Sequence, residues 1–499
     1  MNVLLIKTRI ATDIDCSVST PLGILYLASV AREAGHDVRV LDLGLVRSER
    51  LSQTLAHTIR TWPVDLVGLS AMSPESQFLE AVARYTRDAK PSIFMVAGGS
   101  HPSSQPSFTL RRTAVDAIII GEGENTFRSL LSRIDGGGDW KTLAGLGRLE
   151  ADTPILNPPA VPVHDVNTLP FPAWDLVNFE AYRFWPSMAF QRYRYAAIFT
   201  SRGCPYGCIF CHQIFGKKFR QRSPENVLAE LELLYKKYDV HNVEILDDIF
   251  NFDLDRAKRI IEGIISRFPK MRLAFPNGLR MDRTDREFFR LLKRAGTRLI
   301  AVPFETASDE LQRSIKKNLD VGKAIEMARV AREEGLYTWG YFMIGLPGET
   351  KMQTDLTLDL AGSGIVDHPI VMIATPYSNT EMGDIVGLKT DPESPMDPTA
   401  MDHLYGTHNL SEVGIDYVIE RRDAIRRKSL LKPRNWWMPL TYFHWLIQWL
   451  GMFELTMHVA NVILCSIPVV RRIPWLQRWY ISRRNAHLQE IAQLLVEKA

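Results

Sequence analysis

"TSRGCPYGCIFCHQ", residues 200–213, gathers three of the chain's five cysteines at the spacing C-x3-C-x2-C. A closed tetrahedral zinc site takes four ligands, usually as two pairs. The two remaining cysteines, Cys16 and Cys465, lie near opposite ends of the 499-residue chain, and His212 follows Cys211 too directly to share its metal easily. Three thiolates on one short loop instead suit three irons of a 4Fe–4S cluster, with Cys204, Cys208 and Cys211 as metal ligands. The fourth iron then stays open to a substrate or cofactor. An incomplete zinc site is the plainer alternative. An odd cysteine count with a clustered trio speaks against a secreted disulfide framework and for metal chemistry in a reducing compartment.

The loop sits at the start of a βα series. Strand patterns at 195–201, 242–248, 273–280, 299–305, 337–345 and 369–376 alternate with helical ones such as 223–238, where Ser223 and Asn226 are cap candidates, and 284–296. Six such units predict a parallel sheet closed into a partial barrel over 195–390. Residues 146–194, with "PILNPPAVPVHDVNTLPFPAW" (154–174), read as a proline-rich linker. Before it, over 1–145, a second βα series with strands near 3–6, 37–43, 65–72, 93–101 and 116–124 predicts a doubly wound, flavodoxin-like α/β domain. Ligands in such sheets lie beyond the carboxyl ends of the strands, which here carry Ser70, Gly98, Gly99, Ser100, His101, Gly121 and Glu122. Tight turns are the competing explanation of the glycines.

The last part, 391–499, differs. From Glu420 onward there are 13 Lys and Arg against 5 Asp and Glu, whereas the whole chain carries only +3. Residues 435–470 hold no Lys or Arg, and six of the eleven tryptophans lie at or beyond Trp436. His444, Gln448, Glu454, His458 and Asn461 interrupt this stretch and Pro439 and Pro468 bracket it, which disfavours a full membrane span. A basic, tryptophan-rich helical region fits either a membrane-surface contact or a helical cap over the site. Glu454 and His458, one helical turn apart, read as a structural pair. The N-terminal "MNVLLIKTRIATD" is too short in apolar residues for a signal peptide, so the expected location is cytoplasmic, free or peripheral on the cytoplasmic membrane face.

"TSRGCPYGCIFC" resembles the cluster loop of the radical S-adenosylmethionine (SAM) superfamily. The segments "FRQRSPENVLAEL", "VEILDDIFNFD", "NGLRMDRTDREFFRLLKRAG", "VPFETASDELQRSIKKN", "GYFMIGLPGET" and "IATPYSNTEM" resemble its successive units, with "SNT" (378–380) where "PGT" is more usual. The resemblance implies reductive cleavage of SAM at the open iron to give a 5′-deoxyadenosyl radical. It implies that Phe210 packs near the adenine, that Asp247, Arg280 and Glu305 face SAM, and that an external reductant such as flavodoxin or ferredoxin is required.

The preceding α/β domain, the "LPFPAW" joint, "VAGGSHPSSQP" and "IIIGEGENTF" resemble the cobalamin-binding radical SAM subfamily. That implies a cobalamin slot lined by Ser70, Gly98, Gly99, His101, Gly121 and Glu122. The D-x-H-x-x-G signature of an axial histidine is missing, so His101 reads as a wall or turn residue. The implied activity is methylation of an unactivated carbon of a small, hydrophobic substrate (lipid, isoprenoid or tetrapyrrole-like) or a secondary metabolite, with no role for nucleic acid. Oxidative cyclisation or rearrangement without methyl transfer is the alternative, and a non-catalytic, membrane-associated iron–sulfur protein the second.

Overall fold

The computed structural model describes residues 1–9, 19–46, 50–182, 187–189, 194–212, 214–387 and 409–435. Cys16, Cys465, Glu454, His458 and nearly all of the tryptophan-rich stretch lie outside the described residues.

The first sheet contains β1 (Asn2–Lys7), β2 (Asp37–Asp42), β3 (Leu66–Ser70), β4 (Phe94–Gly98), β5 (Ala117–Ile119), β6 (Leu146–Glu150) and β7 (Thr153–Leu156), in the order β2-β1-β3-β4-β5-β6-β7. β1 to β5 are parallel. The unbroken apolar run of β1 exists because both faces are covered: Leu4 and Ile6 belong to one buried cluster, Val3 and Leu5 to another. The order 2-1-3-4-5 is the flavodoxin-like winding.

The sheet continues into the stretch read from sequence as linker. β6 runs antiparallel to β5, and β7 pairs back on β6. Ala151 and Asp152, at φ +45 and +66, make the two-residue turn between them. Beyond residue 156 the proline-rich segment is irregular but not loose. Trp174 is fully buried among Leu22, Leu25 and Tyr26 of the first unit and Leu228 and Leu231 of the second, and its indole N–H donates to Glu230 at 2.9 Å.

The second unit holds β8 (Tyr195–Ile198), β9 (Ser201–Arg202), β10 (Arg220–Gln221), β11 (Asn242–Ile245), β12 (Arg272–Phe275), β13 (Leu299–Glu305), β14 (Tyr337–Ile344) and β15 (His368–Ile373). Six strands form an all-parallel sheet, β15-β14-β13-β12-β11-β8, the expected partial (β/α)6 barrel. β9 and β10 pair antiparallel and bracket the cysteine loop. Ser223 caps the helix Pro224–Lys237 by accepting from the Asn226 amide at 3.1 Å, so Asn226 is the capped residue and not the cap. The described C-terminal residues form the helix Ile415–Leu430, which packs on β15, with Ser429 Oγ donating to Asp367 O at 3.2 Å.

Candidate active site

The cysteine loop is built so that only glycine fits at its entry. Gly203 has φ +82, and a Cβ there would lie 2.4 Å from Lys218 O and 3.1 Å from Gly216 O. The Cys204 amide donates to Gly216 O at 3.3 Å, and the Cys211 amide to Cys208 O at 3.1 Å. Ile209 clips the loop to the barrel: its amide reaches Ile315 O at 3.1 Å and its carbonyl accepts from the Met382 amide at 2.9 Å. Phe210 packs with Ile209, Ile315, Leu346, Ala374 and Met382.

The three thiols lie close enough to repel one another as thiolates. Burial and that repulsion push the free Cys211 thiol up to about 12 and raise Cys204, while burial, with the Glu305 carboxylate, raises Cys208. A bound metal centre reverses this balance by taking thiolates directly. Among the described residues no three His, Cys, Asp or Glu side chains converge on a single metal ion. Three mutually close thiols on one loop, too spread for one ion, fit the wider span of a cluster.

The strand ends of the barrel surround this loop with ionisable groups. Asp247, at the end of β11, is buried; it accepts from the Thr200 amide at 2.6 Å, Thr200 Oγ1 at 2.5 Å and Ser201 Oγ at 2.6 Å. Arg256 holds the same turn through Thr200 O at 2.5 Å. Asp247 therefore fixes the approach to the loop rather than facing open space. Arg280 stacks its guanidinium 3.7 Å from the Tyr206 ring and donates to Lys317 O at 2.9 Å, Asn318 O at 2.6 Å and Asp282 at 2.9 Å. Glu305 ends β13 at φ +62, where the pairing with β14 shifts register, and its carboxylate meets Lys317 Nζ at 2.8 Å. Both partners are buried and both act electrostatically on Cys208.

The first sheet contributes a different set. Gly99 has φ +98, and a Cβ there would sit 2.8 Å from Ala71 O and 3.1 Å from Ser70 Oγ; at Gly98 the nearest atom would be 3.7 Å away. Gly121, at φ +81, donates its amide to Ser103 Oγ at 2.9 Å. His101 is buried, edge-on to Phe108, with Nδ1 unpaired, and burial pushes its pKa down to about 4. Glu122 turns toward the barrel: it pairs with Arg220 and, at 3.2 Å, with Arg202, while Glu124 meets Arg202 at 2.7 Å. These four charges are all buried at the joint between the units.

A cavity of about 360 Å³ joins the two sets. Its wall comprises Ser103, Ile120 and Gly121 from the first unit, Cys208, Ile209, Cys211, His212, Ile214 and Lys217 from the cysteine loop and its flank, and Asn379, Thr380 and Glu381 after β15. Of the candidate ligand residues singled out in the sequence, Cys208, Cys211 and Gly121 line it; Ser70, Gly98, Gly99, His101 and Glu122 are not among its lining residues. Lys317, Ser103 and Asn379 escaped sequence reading. The one signal for Asn379 is "SNT": Asn379 takes a left-handed φ of +62, a region that favours glycine, and its amide donates to Ser104 O of the first unit.

Residues 17–131 match the family model described as B12 binding domain, and residues 198–361 the Radical SAM superfamily. The chain is 30% identical over 388 residues to an uncharacterized methyltransferase of Pyrococcus horikoshii, covering 77% of this chain and 82% of that protein. It is 24% identical to cytidylyl-2-hydroxyethylphosphonate methyltransferase of Streptomyces wedmorensis, over 72% of this chain and 77% of that one. The fold is similar to the radical S-adenosylmethionine methyltransferase TsrM of Kitasatospora setae solved with tryptophan and a SAM analogue, at TM-score 0.63 and 22% identity, covering 77% of this chain and 75% of that one.

Proposed function

The chain belongs to the cobalamin-dependent radical SAM methyltransferase family, and from that premise we propose that it methylates an unactivated carbon of a small, hydrophobic substrate, lipid, isoprenoid or tetrapyrrole-like. The observation that carries this reading is the cavity walled jointly by the cysteine loop and the strand ends of the B12-binding sheet. A substrate held there is within reach of both halves of the reaction. When bound, a 4Fe–4S cluster would supply one-electron reduction toward SAM and cobalamin would supply methyl-group transfer.

The chain's own residues divide that work. Cys204, Cys208 and Cys211 hold the cluster, and Asp247 with Arg256 fixes the turn that presents them. Glu305 and Lys317 offer one charge of each sign for the ammonium and carboxylate of SAM, Arg280 braces the turn that carries Lys317, and Phe210 gives the adenine an apolar surface. Ser70, Gly98, Gly99 and Gly121 keep the strand ends bare for the nucleotide tail of cobalamin; His101 backs them as a neutral wall. Glu122 holds the two units in register through Arg202 and Arg220. Ile120, Ile209 and Ile214 favour an apolar acceptor.

The reductant is an external one-electron donor of the flavodoxin or ferredoxin kind. No described helix is long and apolar enough to cross a membrane. The helix Ile415–Leu430 exposes Arg426, Arg427 and Lys428, and Leu431 beyond it is 76% exposed. That surface suits a peripheral contact with anionic lipid on the cytoplasmic side.

The test is anaerobic. Reconstituted protein is given cobalamin, SAM, a reductant and an extract of host lipids and pigments, and S-adenosylhomocysteine and 5′-deoxyadenosine are quantified. Cobalamin-dependent formation of both supports methyl transfer, since one SAM gives the methyl and another the radical. Deoxyadenosine alone points to oxidation, cyclisation or rearrangement; no cleavage of SAM sinks the enzymatic reading.

A further inference from the structure

Nearly every polar side chain on the cavity wall already has a partner. Ser103 Oγ donates to Gly99 O at 2.7 Å and accepts from the Gly121 amide at 2.9 Å. Thr380 Oγ1 donates to Tyr377 O at 2.6 Å and accepts from the Gly383 amide at 3.0 Å. Glu381 pairs with Lys316 at 2.6 Å, Asn379 reaches Ser104 O, and Lys217 Nζ donates to Tyr206 O at 3.3 Å. His212 is the exception. Its Nδ1 and Nε2 are both shut off from solvent, and neither has a hydrogen-bond partner among the described residues. Buried ring nitrogens of this kind are normally satisfied, so an imidazole with both left open on a cavity wall awaits a ligand.

We propose that His212 is a cobalamin-contacting residue whose ring hydrogen-bonds a primary amide on the rim of the corrin. The inference rests on the cobalamin-dependent reading above. The facing wall, Ser103, Ile120 and Gly121, belongs to the carboxyl end of the B12-binding sheet, where a parallel α/β sheet receives its ligand. The corrin rim bears acetamide and propionamide groups, each with a carbonyl acceptor and N–H donors. An imidazole presents a ring nitrogen on each of two edges and so complements the donor and acceptor of such an amide. About 360 Å³ admits the edge of a macrocycle and its side chains rather than the whole cofactor. Because His212 directly follows Cys211, the contact joins the corrin rim to the cluster loop through a single peptide unit.

The experiment uses the full chain with its cluster reconstituted anaerobically. Hydroxocobalamin is titrated by absorbance, without SAM or substrate, and iron per chain is measured on the same samples. His212→Ala is expected to bind cobalamin roughly tenfold more weakly, the worth of one net hydrogen bond, with iron content unchanged. His212→Asn, which keeps a donor and an acceptor, is expected to recover most of that loss. Wild-type affinity in His212→Ala at full iron content overturns the proposal. So does a loss of affinity that merely tracks a loss of iron, which assigns His212 to the loop's integrity. Wild-type protein that takes up no cobalamin at full iron content sinks the cobalamin-dependent reading itself, and this inference with it.

Discussion

At the carboxyl ends of the first sheet the chain places Ser70, Gly98, Gly99 and Gly121, backed by an uncharged His101. At the same ends of the second it places Asp247, Arg280 and Glu305, with Lys317 beside them. One edge is made by leaving side chains out, the other by putting charges in. On the proposed assignment of the two cofactors, the difference follows from what each edge would recognise. A bulky, largely neutral macrocycle needs room and close backbone approach, which glycine at positive φ gives. A zwitterionic nucleoside beside a metal cluster needs opposite charges at fixed positions. Where the first sheet's strand ends do carry charge, it is spent on fixed partners: Lys7 on Glu75, Asp42 on the Tyr182 hydroxyl, and Glu122 and Glu124 on Arg202 and Arg220 of the second unit.

The largest expected effect separates the two edges. Cys208→Ala should abolish SAM cleavage and lower iron per chain, while cobalamin still binds the first sheet. Loss of cobalamin binding in the same variant would break the comparison, since it would make the bare edge depend on the loaded one.

A second test uses one buried group from each unit. Burial lowers His101 to about 4 and raises Glu244, on β11, to about 7. The signs are opposite. As pH falls from the ordinary histidine range of 6.5 toward 4, the unfolded chain takes up a proton that folded His101 refuses, so stability is lost on acidification. As pH rises from 4.5 toward 7, the unfolded chain releases a proton that folded Glu244 keeps, so stability is lost on alkalinisation. Each limb amounts to about 3 kcal/mol at most. Hydrogen exchange at matched pH should show His101→Gln flattening the acid limb in β3–β5 amides and Glu244→Gln the neutral limb in β11–β12 amides. A single limb shared by both sheets would contradict separate titration.

Third is the bare edge itself. Gly99→Ala forces a Cβ against Ala71 O at a φ of +98 and should cost about 1–3 kcal/mol with weakened cobalamin binding. Gly98→Ala, whose Cβ meets nothing closer than 3.7 Å, should leave stability nearly unchanged, so any weakening of cobalamin binding it brings reads the bare edge without a folding cost.

Much of this was legible from local pattern. The apolar runs of β1 and β3 announce a sheet covered on both faces, and C-x3-C-x2-C fixes the loop without any tertiary information. The rest lies in long-range pairing. The β6–β7 hairpin turns on Ala-Asp rather than a glycine-bearing dipeptide, so nothing in 146–156 signalled it. Glu122 sits on a motif that pointed to a ligand, yet its partners are 80 and 98 residues away. Asp247 has the chemistry of a cofactor ligand, but Thr200 and Ser201 occupy both its oxygens. Lys317 is one of two adjacent lysines, and only the fold distinguishes it: Lys316 turns out to Glu381 and Lys317 in to Glu305.

The smallest expected effect is at the seam between the two edges. Asn379 holds φ +62 and donates to Ser104 O, while Gln105 donates to Ser378 Oγ at 3.3 Å, so "SNT" stitches the end of β15 to the helix Ser100–Ser104. Asn379→Gly keeps the backbone and removes only the side-chain bond, at about 1 kcal/mol. Asn379→Ala removes the bond and also strains the turn, so it should cost about 1–2 kcal/mol more. If the seam couples the edges, the glycine variant should bind SAM and cobalamin singly as the wild type does, but lose part of the gain each ligand gives the other, by the same factor in both directions. Undiminished coupling in that variant would leave Trp174 and the Arg202–Glu122–Arg220 cluster as what holds the two sheets in register.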